Sequence, residues 1–409
     1  MPDFLFSPTS LPVLNSPMGI GGPKCGACGL YKTCQSPKMP TAGNGKKKIL
    51  ILAEAPGKDE DEQNRQLVGR SGQELERRLR AVGINMREDC WLENAVICRP
   101  PGNKIENEMT VEYCRPNVIN RVRAINPEAI LVLGGVAIQS LIGWLWDTNW
   151  GTVARWAGYQ IPSQQLNAWV CPTYHPSHIL RERERRDTVT ELQWLSHLSA
   201  FSKLKGRPWK TVPDYAGDVE PIFSVREAGL RLKDVTAGTV AFDYETNCLK
   251  PDHEKARIFS CSVCVNGKWT IAFPWAGAAV EQMRRILGSP RVKKIAQNAK
   301  FEDRWTRAIL RQEVRGWLWD TMLVSHAMEN ATKMRLISSI KFQAFAHLGF
   351  PRWDKVVSPF LGEGSKGGNT LNRIKQIGIR DLLVYNGIDS LVEYKIAMKQ
   401  MKEMGYAGS

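Results

Sequence analysis

Asp243-Tyr-Glu245-Thr places two carboxylates two residues apart. On a strand such side chains share one face. Crowded carboxylates repel unless a cation lies between them, and Mg²⁺ and Mn²⁺ prefer oxygen donors. Tyr385 and Asp389 stand four apart in an apolar stretch with helical spacing, hence on one helix face. Asn298-Ala-Lys-Phe-Glu302-Asp303 is a third acidic element. Each alone is equally well a solvated acidic surface. Three in this order favour an oxygen-lined cation site.

A second set of residues lies nearer the N-terminus. Six of the ten cysteines precede residue 120: Cys25, Cys28, Cys34, Cys90, Cys98 and Cys114. Four thiolates, Cys25-x-x-Cys28 with Cys98 and Cys114, suit zinc or a 4Fe–4S cluster. Spacing alone leaves both open. Cys34 and Cys90 receive no role, and Cys261-Ser-Val-Cys264 reads as packing within a strand. Three polar residues sit at expected strand ends: Glu54, Asn94 and His175. In an α/β domain, polar residues at strand ends can line a site. Taken singly, each is also a common local cap.

The elements that must carry these residues follow from apolar periodicity. Strands are expected over 47–53, 90–97, 129–133 and 170–173, alternating with helices over 72–82, 118–125 and 136–142. That alternation predicts an α/β domain with a largely parallel sheet, its sites at the loops after the strands. A charged helix is expected over 182–205, and Gly206–Glu220 carries two prolines and two glycines. A strand over 239–242 and a hairpin turning at Asn266-Gly267 open a second α/β domain. Helices are expected over 280–287, 301–311, 320–327, 336–348 and 379–401. The expected division is a first domain over 1–205, a linker over 206–235 and a second domain over 236–409. Residues 1–24 read as an irregular lead-in.

The chain has 409 residues, 56 Lys plus Arg and 41 Asp plus Glu, a net charge of +15. A balance this basic favours a polyanionic partner, and nucleic acid leads. No stretch reaches the ~20 apolar residues of a membrane helix. No secretory signal pattern is present, so the expected location is the cytoplasm, with no membrane partner.

The motifs DYET, NAKFE and YNGID, with Trp319-Asp320-Thr321-Met322, make residues 236–402 resemble the 3′–5′ exonuclease domain of the DNA polymerase I type, among the DnaQ-like exonucleases. The resemblance implies an RNase H-like α/β fold and two-metal hydrolysis of DNA from single-stranded or 3′ ends. Asp243, Glu245, Glu302 and Asp389 would hold two Mg²⁺ or Mn²⁺ ions, and Tyr385 would orient the attacking water. Glu302 stands where that family usually has Asp. Lys293, Lys294, Lys300 and Arg304 are candidate phosphate contacts. The resemblance also implies the exonuclease half of a split polymerase, with a separate polymerase subunit as partner, and a proofreading role.

Residues 22–202 resemble the iron–sulfur, family-4 type uracil-DNA glycosylases. The cysteine framework, Glu54-Ala-Pro-Gly57, Asn94-Ala-Val-Ile-Cys98 and Thr173-Tyr-His175-Pro-Ser-His carry the resemblance. It implies a 4Fe–4S cluster on Cys25, Cys28, Cys98 and Cys114. Asn94 would read a uracil edge, His175 would stabilise the leaving uracil O2, and Glu54 would position water. The family's Gly-x-Pro-Phe-Val-Gly appears here as Asn64-Arg-Gln-Leu67-Val-Gly69. Leu67 lacks the flat face on which a base stacks, a contact worth roughly 1–3 kcal/mol. A non-catalytic module binding DNA or the polymerase is therefore the alternative for this domain.

Overall fold

The structure is a computed structural model and describes residues 21–146, 149–328, 338–361 and 369–406. The first 20 residues of the expected lead-in and the first two of the helix expected over 336–348 lie outside the described residues. Described residues up to Val212, together with Phe345–Pro351, make one compact unit. The others, from Pro213 onward, make a second.

The first unit is built on five strands: β1 (Ile49–Ala53), β2 (Cys90–Asn94), β3 (Ala129–Leu133), β4 (Ile161–Ser163) and β5 (Ala168–Thr173). Their order is β2-β1-β3-β5-β4. All neighbours are parallel except β4, which runs antiparallel to β5. Ile49–Ala53 and Ala129–Leu133 are almost wholly buried, as expected of parallel strands covered on both faces. Register sets the strand ends side by side: Ala53 pairs with Asn94, and Leu133 with Thr173. The residues that follow β1, end β2 and follow β5 are therefore gathered at one edge.

The second unit carries β6 (Val219–Pro221), β7 (Gly238–Thr246), β8 (Ile258–Val265), β9 (Trp269–Pro274), β10 (Val292–Ala296) and β11 (Trp317–Asp320). The sheet order is β11-β10-β7-β8-β9-β6. β7, β8 and β9 are antiparallel, while β10 is parallel to both β7 and β11. Asn266 (φ 53°) and Gly267 (φ 66°) form the expected hairpin turn, the left-handed pair a tight hairpin demands. The helix Ile379–Glu403 packs along β7 and β8.

Several elements differ from expectation. The charged helix over 182–205 is two helices, Pro176–Glu184 and Thr188–Ser202. Arg186 takes a left-handed φ of 62° between them, and Asp187 caps the second by accepting from the Val189 and Thr190 N–H groups. Within 206–235 lie β6 and the helix Val225–Leu232. β10 was unexpected because two lysines interrupt it. Lys294 is nonetheless fully buried; its Nζ donates to the carbonyls of Ser289, Val292 and Arg315. Burial lowers its pKa to about 8. Lys294 is thus a structural tie and no phosphate contact.

Candidate active sites

In the second unit, β7 runs on through Thr246, so Asp243 and Glu245 both sit on the strand. The helix Ile379–Glu403 brings Asp389 to them. One carboxylate oxygen from each of Asp243, Glu245 and Asp389 lies within 4.8 Å of the others. They open on a cavity of about 630 Å³, also lined by Tyr385, Lys341 and Glu393. Glu302, on the helix Ala299–Leu310, is 1% exposed and its Oε2 has no hydrogen-bond partner. It stands outside the close trio, yet the charge of Asp243 is felt at it and raises its pKa after burial does. Asp303 faces elsewhere, paired with Arg307 at 2.6 Å.

Electrostatics follow from crowding. Burial, then the neighbouring Asp389 charge, holds Asp243 well above the usual carboxylate range. Burial and the charges of Asp243 and Asp389 do the same to Glu245. Asp389 is raised by burial but relieved by Lys341. Lys341 Nζ donates to Asp389 Oδ1 at 2.5 Å and to the Tyr385 hydroxyl at 3.0 Å. Buried carboxyl groups that oppose one another are a donor set for hard cations. Three carboxylate oxygens within 4.8 Å of one another fit divalent metal ions.

Three members of this site escaped the sequence. Glu393 is one helical turn past Asp389; it is 1% exposed and its Oε2 lacks a partner. The four-residue spacing Tyr385, Asp389, Glu393 would have found it. Asn386 donates to Asp243, and Lys341 arrives from the helix Ile340–Leu348. Neither carries a local signal.

In the first unit, Glu54, Asn94 and His175 line one pocket of about 380 Å³, with Leu67, Ser71, Ser177 and Arg181. His175 caps the helix Pro176–Glu184: its Nδ1 accepts the Ser177 N–H at 3.2 Å. A backbone N–H only donates, so Nδ1 is bare and the neutral ring carries its proton on Nε2. Burial, with Arg181 and His178 nearby, lowers its pKa to about 4. Glu54 is raised by burial, against the pull of Arg181. The local-cap role and the pocket role of His175 are therefore compatible.

Cys25, Cys28, Cys98 and Cys114 line a common cavity with Tyr31, Lys38, Tyr113 and Asn117. Cys98 Sγ accepts the Lys38 N–H at 3.2 Å and Cys114 Sγ the Ile97 N–H at 3.5 Å. Asn117 Nδ2 reaches the sulfurs of Cys25 and Cys114. Such N–H···S bonds stabilise thiolates around a bound centre. Burial raises Cys98 to about 12 and Cys114 to about 11, so a cation is needed to keep both ionised. Cys34 adjoins Cys98. Cys90 is buried at the start of β2, and Cys261 and Cys264 are buried in β8.

Residues 40–198 match the uracil DNA glycosylase superfamily, and residues 219–343 match a 3′–5′ exonuclease family. The second match holds Asp243, Glu245 and Glu302 and stops before Tyr385 and Asp389. The type-4 uracil-DNA glycosylase of Archaeoglobus fulgidus is 32% identical over 193 residues, 47% of this chain and 93% of that relative. That of Thermotoga maritima is 32% identical over 184 residues, 45% of this chain and 92% of the relative. A DNA polymerase of Bacillus phage SP01 is 24% identical over 321 residues, 70% of this chain; the chain spans 33% of its length. Through its first domain the chain belongs to the type-4 uracil-DNA glycosylase family, and it joins that domain to one of the 3′–5′ exonuclease family. Among the described residues, no helix is long and apolar enough to cross a membrane.

Proposed function

We propose that the chain is a DNA-processing enzyme whose second domain removes nucleotides from 3′ ends with two divalent cations, in a proofreading role beside a separate polymerase subunit. The observation that carries this is the approach of Asp243, Glu245 and Asp389 to within 4.8 Å of one another, with Tyr385 on the same cavity. Asp243, Glu245, Asp389 and the buried Glu302 would hold the ions. Bound Mg²⁺ or Mn²⁺ supplies an activated water and charge stabilisation for in-line displacement. The chain's own residues do the rest. Asn386 aims Asp243, Lys341 compensates the charge of Asp389, and the Tyr385 hydroxyl orients the water. The net charge of +15 favours a DNA strand as substrate.

The first domain reads a flipped base in the pocket of Asn94, His175 and Glu54. The His175 Nε2–H would donate to a pyrimidine O2 as negative charge develops there. Glu54 would position water. The donor set of Cys25, Cys28, Cys98 and Cys114 fits a 4Fe–4S cluster that staples the domain. A specific feature favours a second reading, a base-binding module with weak or no excision: Leu67 lines the pocket where a flat aromatic would stack.

A 5′-labelled single strand with uracil at its 3′ end tests both domains at once. A ladder that requires Mg²⁺ supports the nuclease, and degradation unaffected by EDTA overturns it. Abasic product formed in EDTA supports excision; intact, bound uracil DNA supports the binding module.

A further inference from the structure

Asn94, which lines the base pocket, is bonded to a second amide that the chemistry above does not use. Gln66 is 1% exposed. Its Nε2 donates to the Pro40 carbonyl at 3.0 Å. A carbonyl only accepts, so this bond settles which end of the Gln66 amide is nitrogen. The other end, Oε1, accepts from Asn94 Nδ2. Asn94 is thereby oriented as well, because turning its amide over would set two carbonyl oxygens against each other. What remains is Asn94 Oδ1. It has no hydrogen-bond partner, and the side chain that carries it is 1% exposed and lines the pocket with Glu54, Leu67 and His175. A buried acceptor without a donor is unfavourable in the free protein, and a ligand carrying a donor relieves it.

The backbone under the relay is rigid. Arg87 donates to the carbonyls of Gln66 and Leu67, each at 2.6 Å. Leu67 holds a left-handed φ of 53°, a conformation that survives only where its surroundings enforce it. Gly72 approaches the Leu67 carbonyl so closely that a Cβ there would sit 2.1 Å from its oxygen. Glu60 ties the far side of the loop through the Gly69 N–H at 2.7 Å.

We infer that Gln66 is the specificity-determining positioning residue of this pocket: it locks the Asn94 amide so that Oδ1 meets the N3 position of a flipped pyrimidine. Uracil carries a proton on N3 and donates to Oδ1. The second N–H of Asn94 Nδ2 remains for uracil O4. Cytosine presents the reverse pattern, a bare N3 against Oδ1 and an amine against the amide N–H. His175 meets O2, which both bases share, so it does not discriminate. The inference rests on the base-reading function proposed for the first domain.

The test uses the full chain in EDTA and three single-stranded oligonucleotides. Each carries one non-cleavable 2′-fluoro nucleotide with uracil or cytosine, or an abasic analogue. Fluorescence anisotropy is expected to show the uracil strand bound about tenfold or more tighter than the cytosine strand. Gln66→Leu should bring the two to within about threefold, because the freed Asn94 amide can turn to suit either base. If the unmodified protein shows no preference between uracil and the abasic analogue, the base-reading function itself fails. If it prefers uracil and Gln66→Leu preserves the full preference over cytosine, the relay is wrong while base reading stands. A thermal double-mutant cycle, needing no ligand, uses Gln66→Leu, Asn94→Leu and the pair. The paired variant should lose little more in Tm than the worse single variant. Strictly additive losses would overturn the coupling of Gln66 to Asn94.

Discussion

Asn386 donates from Nδ2 to Asp243 Oδ2 at 2.7 Å, tying the helix that carries Tyr385 and Asp389 to the strand that carries Asp243 and Glu245. Ser260 Oγ holds the Asn386 amide oxygen at 2.9 Å, and Ser262 Oγ holds its backbone carbonyl at 2.7 Å. Two strand serines thus set Asn386, and Asn386 sets the carboxylate. Asn386→Leu should lower the Mg²⁺-dependent nuclease rate about 10–100-fold, the usual cost of losing a partner that orients a ligand. Asp243→Ala should abolish the reaction. Rates on a labelled 3′ end, with Mn²⁺ affinity measured in parallel, check the order.

Glu302 and Asp303 are neighbours on one helix and point about 100° apart. Glu302 is buried and unpartnered, whereas Asp303 accepts from Arg307 and from the Val314 N–H at 3.3 Å. Glu302→Ala should therefore reduce cleavage by orders of magnitude. Asp303→Ala should leave cleavage near normal and cost at most about 1 kcal/mol in stability. The reverse pattern would place the metal side of this helix at Asp303.

What could be read from the sequence was what repeats locally. Asp243 and Glu245 announce themselves by a strand period of two, and Tyr385 and Asp389 by a helical spacing of four. Asn266-Gly267 announces a hairpin. Lys341 meets Asp389 across 48 residues and Asn386 meets Asp243 across 143; no local pattern encodes such pairings. Gln66 fails for the same reason, since its partners Pro40 and Asn94 lie in other segments. Lys294 misleads in the opposite sense. A lysine in sequence reads as exposed charge, but three backbone carbonyls allow this one to be buried in β10.

Glu393 adds a fifth carboxyl to Asp243, Glu245, Glu302 and Asp389; all five are raised by burial, and all but Asp389 also by the charge of a neighbour in the set. Glu393→Gln removes one negative charge without changing shape. The metal-free protein should melt a few degrees higher, because repulsion in the site falls. The rise in Tm on adding Mn²⁺ should become smaller, since ligand-linked stabilisation tracks affinity. Melting curves with and without Mn²⁺ read both. A metal-free Tm that falls, with the Mn²⁺ rise unchanged, would assign Glu393 to packing alone.

The cysteine cavity joins the short helix Cys25–Cys28 to Cys98, beyond β2, and to Cys114 on the helix Met109–Ile125. A centre bound there closes long loops, and its binding energy becomes folding energy. Anaerobically purified protein should be brown, with broad absorption near about 400 nm from thiolate-to-iron charge transfer. Cys28→Ser should bleach it and lower the first melting transition. Colourless protein holding one equivalent of zinc would replace the iron assignment.

His175 gives the first domain a dependence on pH whose sign is fixed. Its pKa falls from 6.5 to about 4, first through burial and then through Arg181 and His178. Between those values the unfolded chain binds a proton that the folded protein refuses. Stability therefore rises with pH across this window, and is lost as pH falls from about 6.5 towards 4. The loss is at most about 3 kcal/mol, and less to the extent that the side chain reaches the solvent of the pocket. His175→Gln keeps a polar cap but cannot titrate. The difference in Tm between the unmodified protein and His175→Gln should shift in favour of the variant as pH drops from 6.5 to 4, and stay constant above 7. Parallel curves throughout would show that the imidazole is not held neutral, and with it would go the Nε2–H donor proposed for the pyrimidine O2.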